Sequence, residues 1–309
     1  MTASRGGGDG LFYTVYTAQA GNPYNLAVGT NYVRRTTYFN EGSFASLNEA
    51  YYLQDSWSLL SDRLTVNLGI RNDRFTNDNA LKQTFYKSGK QWGPRLGFTF
   101  DPIGDRRDKI YGSFGRLFVP VASNTNIRLT GGETYYTRTA LFNGLTNANV
   151  PILGSPINYT NAAACPDDGA LACSVTGNGQ PKSAETTVAQ QLKPQSADEY
   201  ILGYEKRLGT RWRVGAYFTY TKLNEVLEDS SIDQAVNAYC VKQKVSGCNA
   251  IWDGFHQYVL INPGSASRIT LSDPINGETT LRTVDFSAAD LGYPKARRTY
   301  KGMTFEAHR

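Results

Sequence analysis

Strict alternation of apolar and polar residues is the feature that most constrains how this chain folds. In residues 63–71, apolar side chains occupy every second position, namely Leu64, Val66, Leu68 and Ile70, with polar residues or glycine between them. A period of two puts one set on each face of a β-strand, whereas an amphipathic helix needs apolar residues three or four positions apart. We therefore expect a strand that is apolar on one face and polar on the other.

The same pattern recurs in the form of hairpins. Two alternating runs flank a short turn at Ser61-Asp62, at residues 102–105 and at Gly209-Thr210. Turns this short join antiparallel neighbours, so each pair of runs predicts one hairpin. A further alternating run covers residues 299–308. The sequence thus predicts an all-β protein built from repeated antiparallel hairpins.

The connections between strands alternate between short turns and long links. The links cover residues 77–90, about 120–195 and about 227–295. Outer-membrane barrels have short turns at the periplasmic end and long loops outside the cell, whereas a soluble sandwich distributes its loops between both ends. The pattern predicts an antiparallel transmembrane β-barrel segment, an incomplete barrel, with short periplasmic turns and long extracellular loops.

Composition and charge exclude two other classes of protein. No stretch approaches the roughly 20 consecutive apolar residues that a membrane-spanning helix needs, so a helical membrane protein is excluded. The net charge of +5 comes from 32 basic and 27 acidic residues. Because these are spread along the chain without a block of Lys and Arg, we expect no nucleic-acid partner.

Most of the long links are rich in Gly, Pro, Asn, Ser and Thr, which predicts irregular loops. An exception is the segment from Ser231 to Lys242, where Ser231 at a possible N-cap, with Gln234 three residues later, predicts a short helix. Near the start, residues 11–17 and 32–39 have strand character. The pattern leaves open whether they belong to the barrel or to an external hairpin.

The first hairpin resembles that of a known family. Residues 51–57 (YYLQDSW) and 63–71 (RLTVNLGIR) are similar to the "Y-x-Q-D-x-W … L-T-x-N-L-G-x-R" hairpin of TonB-dependent outer-membrane receptors. Residues 92–97 (WGPRLG) and 192–200 (LKPQSADEY) resemble further segments of such barrels. The pattern is similar to that of the large Oar-like receptors.

The resemblance implies a function and a location. It implies an outer-membrane protein of a Gram-negative bacterium that binds a nutrient, such as a chelate, an oligosaccharide or a peptide, through extracellular loops. In the full protein the nutrient would be imported with energy from the TonB complex. Outer-membrane lipid would be a further partner, in contact with the apolar residues Leu64, Val66, Leu68 and Ile70.

The resemblance also predicts that residues 1–309 are only part of a receptor barrel. No apolar segment of an export signal follows Met1, and we expect the signal peptide, the plug domain and the C-terminal closing strand to be absent from this chain. Two alternatives remain: a passive porin or surface adhesin on a similar barrel, and a soluble β-sandwich binding module.

The four cysteines form two pairs with identical spacing, Cys165 with Cys173 and Cys240 with Cys248. Each pair lies within one long link, which favours two local disulfides formed in an oxidising periplasm. The alternatives are free thiols or metal ligands. Metal ligation is disfavoured because the spacing differs from that of zinc sites and no histidine accompanies either pair.

Catalytic residues have little support in the sequence. His256 and His308 are the histidines of the chain, and no G-x-S-x-G motif occurs. We therefore expect no enzyme and assign no catalytic, cofactor-binding or metal-binding residue. A cofactor is not expected.

Aromatic residues fall into two groups. Trp57, Trp92, Trp212 and Tyr200 are predicted near strand ends beside the short turns, as a periplasmic aromatic girdle. Those in the long links are candidate ligand contacts, because exposed rings in loops can stack on sugars, chelates or peptides: Tyr135, Tyr136, Tyr159, Tyr239, Trp252, Phe255 and Tyr258. Packing of one loop on another is the alternative role for these seven rings.

Overall fold

Antiparallel sheets dominate the computed structural model, which describes residues 3–6, 10–41, 43–89, 91–157, 163–252, 254 and 256–309. The chain divides into two units, which are described separately. Unit 1 consists of Met1–Phe44, Asn79–Lys82 and Thr130–Lys182, and unit 2 of Ala45–Asp78, Gln83–Leu129 and Ser183–Arg309.

The strands in chain order are β1 (Ala3–Gly6), β2 (Leu11–Thr17), β3 (Asn31–Glu41), β4 (Ser46–Leu59), β5 (Leu64–Asp78), β6 (Thr84–Lys87), β7 (Gln91–Phe100), β8 (Asp108–Phe118), β9 (Gly132–Leu145), β10 (Pro151–Pro156), β11 (Ala163–Cys165), β12 (Asp168–Asn178), β13 (Ser196–Leu208), β14 (Trp212–Glu225), β15 (Glu228–Ser231), β16 (Tyr258–Ile261), β17 (Ser267–Thr270), β18 (Thr283–Phe286) and β19 (Thr299–His308). The helices are α1 (Ser123–Thr130), α2 (Ala184–Thr187), α3 (Asp233–Gln243), α4 (Cys248–Ile251) and α5 (Ala288–Leu291). Among the described residues, no helix has the length and apolar content needed to cross a membrane.

Unit 2 is built on an eight-stranded antiparallel sheet. Its strands follow the order β19-β14-β13-β8-β7-β5-β4, and β6 pairs with β5. The three predicted hairpins are present as β4 with β5, β7 with β8 and β13 with β14. The alternating run near the C-terminus is also a strand, β19, and it lies beside β14. The all-β, antiparallel fold class is confirmed.

Register gives this sheet one apolar and one polar face. Leu64, Val66 and Leu68 of β5 lie opposite Phe100, Phe98 and Leu96 of β7, and the neighbouring strands continue the apolar set. This apolar face is open, since Leu53, Met303 and Phe305 are 74%, 61% and 78% exposed. A soluble sandwich would bury such a face against a second sheet, so the structure disfavours that alternative.

The eight-stranded sheet has two free edges among the described residues. β4 pairs with β5 alone and β19 with β14 alone, so the barrel is not closed. An edge strand presents unpaired backbone N–H and C=O groups. The sheet is therefore a section of wall whose edges need further pairing.

Unit 1 contains a seven-stranded antiparallel sheet with the order β1-β2-β3-β9-β12-β11, and β10 pairs with β9. The N-terminal segments with strand character lie in this sheet. β2 and β3 form a hairpin, and β3 pairs with β9 from the second long link rather than with a strand of the eight-stranded sheet. Beside this pairing, Asp167 binds Arg35 at 2.6 Å and Arg138 at 3.0 Å.

The prediction that the long links are irregular is wrong for large parts of them. Residues 120–195 contain α1, β9 to β12 and α2, and residues 227–295 contain β15 to β18 and α3 to α5. Many of these elements are short, and a four-residue strand such as β16 gives too little alternation to be recognised among Gly, Pro and Asn; the longer strands β9 and β12, with 14 and 11 residues, were also missed. The apolar residues of the strands and helices in the long links pack against one another in buried clusters. They are therefore not spaced along the chain with one long, regular period.

The helix predicted after Ser231 is present as α3, but its predicted N-cap is wrong. The N-cap residue is Ile232, and no side chain caps this end. The Ser231 hydroxyl donates instead to the carbonyl oxygen of Gly254, at 3.2 Å. A tertiary contact has replaced the local one.

The predicted girdle is half correct in position. Trp57 and Trp212 lie beside short turns. Trp92, however, enters β7 at the end remote from its short turn, where it pairs with Asn72. Tyr200 lies inside β13, with its ring 4.8 Å from that of Phe114. The hairpin reverses direction at each turn, so an aromatic residue early in β7 belongs to the opposite end of the wall.

The two faces of β5 lead to a prediction about neighbouring residues. Replacing Leu68 with Arg on the apolar face should destabilise the folded protein by about 2–4 kcal/mol if that face meets hydrocarbon, whereas Asn67→Arg on the polar face should have a much smaller effect. Urea unfolding of the native protein in lipid vesicles, followed by gel mobility with and without heating, measures both. Equal destabilisation by the two variants would contradict the assignment of the faces.

Candidate functional site at the loop end of the sheet

The long links of unit 2 fold together at the end of the eight-stranded sheet remote from the short turns. We call this part the loop-end module; it consists of β6 and residues 119–129, 183–195 and 226–298. Side chains from all three links form one buried cluster, comprising Phe85, Tyr86, Val121, Leu129, Leu227 and Leu260. The links are therefore not independent loops, and the surface they present is fixed by a shared core.

A second and larger core lies within residues 226–298. Helix α3, β16, β17 and β18 contribute most of it, and its fully buried members include Ile232, Val236, Trp252, Val259, Ile261, Ile269 and Leu271. Helix α5 closes one side with Leu291. At the start of α5, Ser287 donates both its hydroxyl and its backbone N–H to Asp290, and these bonds lower the pKa of that carboxyl group.

Asp233 connects the start of α3 to the segment before β16. Its side chain is buried, and its Oδ2 accepts backbone N–H bonds from Gly254 at 2.9 Å and His256 at 2.7 Å. Its Oδ1 accepts the N–H of Gln257 at 2.9 Å. A carboxylate that accepts three N–H groups can be buried because its desolvation is offset by charge-assisted bonds.

Gln257 joins four segments of the module. Its Nε2 donates to the carbonyl oxygens of Thr186 and Thr270, both at 2.9 Å. Its Oε1 accepts from Nε1 of Trp252 at 3.2 Å and from the backbone N–H of Ser272 at 2.9 Å. The amide uses both donor hydrogens and both acceptor sites, so this buried polar group is fully satisfied.

Asn262 makes a similar connection where the module meets the sheet. Its Nδ2 donates to the carbonyl oxygens of Lys193 at 2.9 Å and Val226 at 2.8 Å, and its Oδ1 accepts the N–H of Lys193 at 2.7 Å. Lys193 lies three residues before the start of β13, and Val226 directly follows the end of β14. The roles of Asp233, Gln257 and Asn262 were not predictable from the sequence, because single polar residues within a Gly- and Asn-rich link carry no periodic signal.

Both cysteine pairs form the local disulfides that their spacing predicts. Cys240 is joined to Cys248, linking α3 to α4 inside the larger core. Cys165 is joined to Cys173 in unit 1, where the pair packs with Tyr136. Each bridge therefore stabilises a folded part of a link.

Two of the candidate ligand-binding aromatics are excluded by burial. Trp252 is 0% exposed and Tyr136 is 4% exposed, so neither ring can stack on a ligand. The physical reason is that each has a better partner: Trp252 binds Gln257 within the core, and Tyr136 packs on a disulfide. Tyr159 and Phe255 lie outside the described residues.

The other three aromatic candidates keep part of their surface. Tyr135 meets Tyr38 edge to face at 5.9 Å in unit 1, and Tyr239 packs against Phe286. Tyr258 lies at the surface of the loop-end module with the guanidinium carbon of Arg128 5.9 Å from its ring centre. Burial of its hydroxyl raises the pKa of Tyr258, against the opposing charge of Arg128, so the phenol stays neutral.

Arg128 completes a small polar patch with Tyr258. Its Nη2 lies 3.2 Å from Oδ2 of Asp229 on the adjacent strand β15. The Asp229 carboxylate is buried, with 7% of its side chain exposed, whereas Arg128 is 56% exposed. The ring of Tyr258 and the guanidinium of Arg128 are therefore the groups of this patch that a polar ligand could contact.

His256 has a neighbouring Asp and Ser, but their arrangement differs from that of a hydrolase. Nε2 of His256 lies 2.6 Å from Oδ2 of Asp273, and the Ser272 hydroxyl donates to the same oxygen at 2.7 Å. A nucleophilic serine must bond to the imidazole, whereas this hydroxyl bonds to the carboxylate. Within the described ranges, no group of three His, Cys, Asp or Glu side chains is arranged to hold a metal ion.

A sheet with one open apolar face, one polar face and long folded links at one end is the architecture of an outer-membrane barrel wall. The sequence model described as "TonB dependent receptor-like, beta-barrel" matches residues 3–301, and the chain belongs to this family of outer-membrane transporters of Gram-negative bacteria. The TonB-dependent transporter Oar of Myxococcus xanthus is 30% identical over 203 residues, which are 63% of this chain and 19% of that protein. The chain thus spans about a fifth of that relative's length. No solved structure gives a significant match.

The four hydrogen bonds of Gln257 lead to a prediction about the module. Gln257→Leu keeps the volume but leaves buried donors and acceptors without partners, each costing about 1–3 kcal/mol, so residues 226–298 should lose about 3 kcal/mol or more of local stability. Amide hydrogen exchange of the native protein measures this loss. Gln234→Leu, at an exposed position of α3, is the matched control and should change exchange little.

The Cys240–Cys248 bridge leads to a second prediction. Replacing both cysteines with serine should lower the stability of residues 226–298 by about 2 kcal/mol, because the bridge closes a short loop in the unfolded chain. The double serine variant of Cys165 and Cys173 should leave exchange in those residues unchanged. Non-reducing peptide mapping of exported protein should find both local bridges, and four alkylatable thiols would refute them.

Proposed function

We propose that this chain forms part of the wall and the ligand-binding surface of an outer-membrane transporter that imports a nutrient with energy from the TonB complex. The two-faced eight-stranded sheet is the observation that carries the proposal. The strands along the main path of this sheet follow one another in chain order, from β4 to β19. The apolar face of the sheet is exposed along several of these strands. Such a face is stable when lipid covers it.

The apolar face would contact outer-membrane lipid. Leu64, Val66, Leu68 and Ile70 share that face with Leu96, Phe98 and Phe100 of β7. The polar face would then line the interior of the barrel, where Thr65, Asn67 and Arg71 of β5 alternate with the apolar set. Short turns would lie in the periplasm and the loop-end module outside the cell.

The loop-end module supports binding of a ligand from the medium. Its links are held by two cores and by Asp233, Gln257 and Asn262, so its surface is ordered before a ligand arrives. A preordered surface avoids the entropy cost of ordering flexible loops on binding. The ligand would be a chelate, an oligosaccharide or a peptide, with Tyr258 and Arg128 among its contacts.

Uptake by living cells tests this function. A strain without the gene and a strain without TonB are grown in the same defined or complex medium, and solute depletion is followed by mass spectrometry. We expect at least one solute whose depletion slows in both strains and recovers when the gene is restored, because import requires both the barrel and its energy source.

Two other outcomes would replace the proposal. Depletion that needs the gene but not TonB would indicate a passive porin. Unchanged depletion of every solute, together with loss of attachment to surfaces or other cells, would indicate an adhesin. The Gln257→Leu variant, analysed in parallel, shows whether an intact loop-end module is required for either activity.

A further inference from the structure

We propose that the polar face of the eight-stranded sheet carries an anion-binding site centred on Arg95, which takes a carboxylate or phosphate group of the transported ligand. The inference rests on the proposed transport function and adds the chemical class of the cargo. The site lies on the wall, among β4, β5 and β7, and is separate from the loop-end module.

A cleft of about 380 Å³ marks the position. Its polar lining consists of Tyr52 and Gln54 from β4, Arg71 from β5 and Arg95 from β7, and Gly69 forms its floor. The register places Tyr52 opposite Arg71, Gln54 opposite Gly69, and Gly69 opposite Arg95. All four polar side chains therefore rise from the same face of three adjacent strands.

Glycines surround Arg95 on that face. Gly69 and Gly115 lie directly opposite it on the neighbouring strands, and Gly93 and Gly97 precede and follow it by two positions. The side chain lies over Gly115, where an added Cβ would be 3.4 Å from both Cδ and Nη1 of Arg95. None of these four positions carries a side chain that could cover the guanidinium.

The guanidinium of Arg95 has no counter-ion within the described ranges. No hydrogen bond or ion pair joins it to another described residue, and its Nε is buried without an acceptor. Other cations of the same face are paired: Lys109 lies 2.7 Å from Glu205, and Nε of Arg71 lies 2.8 Å from Asp73. Arg95 thus forms no ion pair among the described residues, and the carboxylate that follows it in the same row of the sheet, Glu199 beyond Gly115, is bonded to Thr221.

An anion fits this arrangement chemically. A guanidinium presents a planar fork of N–H donors that matches a carboxylate or a phosphate with two parallel bonds. Arg71 is a diagonal cross-strand neighbour, about 7–8 Å away between backbones, and its charge is already paired with Asp73, so Arg95 is the cation of the cleft that can take an anion. Gln54 and Tyr52 line the same cleft from β4, and Tyr52 is 75% exposed, whereas the guanidinium of Arg95 lies on the β8 side, over Gly115.

Binding of two probe anions tests the site directly. The native outer-membrane protein that carries these residues is purified in a non-ionic detergent, and calorimetry measures citrate and inorganic phosphate at low ionic strength. We expect at least one of the two anions to bind, and Arg95→Gln to weaken it at least about tenfold, because a charge-assisted contact is lost. Tighter binding of citrate than of phosphate would identify a carboxylate as the preferred group, and the reverse a phosphate.

Three further variants distinguish loss of the anion site from a general loss of positive charge and from misfolding of the protein. Arg213→Gln removes one positive charge from the same face at the short-turn end, where Arg213 lies 3.9 Å from Glu205, and should leave the affinity unchanged. Gly69→Asp places a carboxylate beside Arg95, where a Cβ would be 3.4 Å from that of Arg95, and should abolish binding. Gly69→Asn, of the same shape without the charge, should retain most of it.

The result that overturns the proposal is equally specific. If neither anion binds the folded wild-type protein, then Arg95 is neutralised by another group of the protein or left to water, and the site does not exist. Equal weakening by Arg95→Gln and Arg213→Gln would show a general effect of charge and would also refute it. These binding measurements do not require TonB. Anion binding can therefore be found even if the transport proposal fails, and TonB-dependent transport can be found even if neither anion binds.

Discussion

Backbone hydrogen bonding between antiparallel neighbours is the constraint on which the wall depends. Alternation within one strand gives that strand two faces, but the faces become continuous only if each neighbour is paired in a matching register. The pairing of Leu64 with Leu59 on one side and with Phe100 on the other achieves this for β5. A slip by one residue would put Thr65 and Asn67 among the apolar residues of β7, and both faces would be lost.

The hairpins could be predicted from sequence because everything that defines them is local: the period, the short turn and the partner strand lie within about 30 residues. The position of Trp57 follows from the same information. The loop-end module could not be predicted in this way. Gln257 is buried because groups at positions 186, 252, 270 and 272 meet around it, and no local pattern brings these four together. The burial of Trp252 has the same cause, so its exposure was predicted wrongly.

The two parts of unit 2 are stabilised by different physical means. The wall leaves apolar side chains such as Phe305 open and relies on its ladders and on whatever covers that face. The loop-end module buries its apolar residues and satisfies the polar groups among them through Asp233, Gln257 and Asn262. In the proposed receptor this difference would be useful, because the wall would contact lipid whereas the module would hold a fixed surface in water.

Glycine on the polar face has two distinct consequences for the space above the sheet. At Gly203 the ring of Tyr111 from the neighbouring strand occupies the place of a Cβ, so the missing side chain is filled by an aromatic one. At Gly69 and Gly97, beside Arg95, no ring does so: their Cβ positions meet only backbone atoms, Cβ atoms or the short side chain of Asn67. The same residue type thus closes the face at one position and opens it at another. Arg95, the cation of the cleft without an ion-pair partner among the described residues, lies beside the open position at Gly69. The glycines alone would not form a site. Open space next to this cation gives the wall a place where an anion can bind.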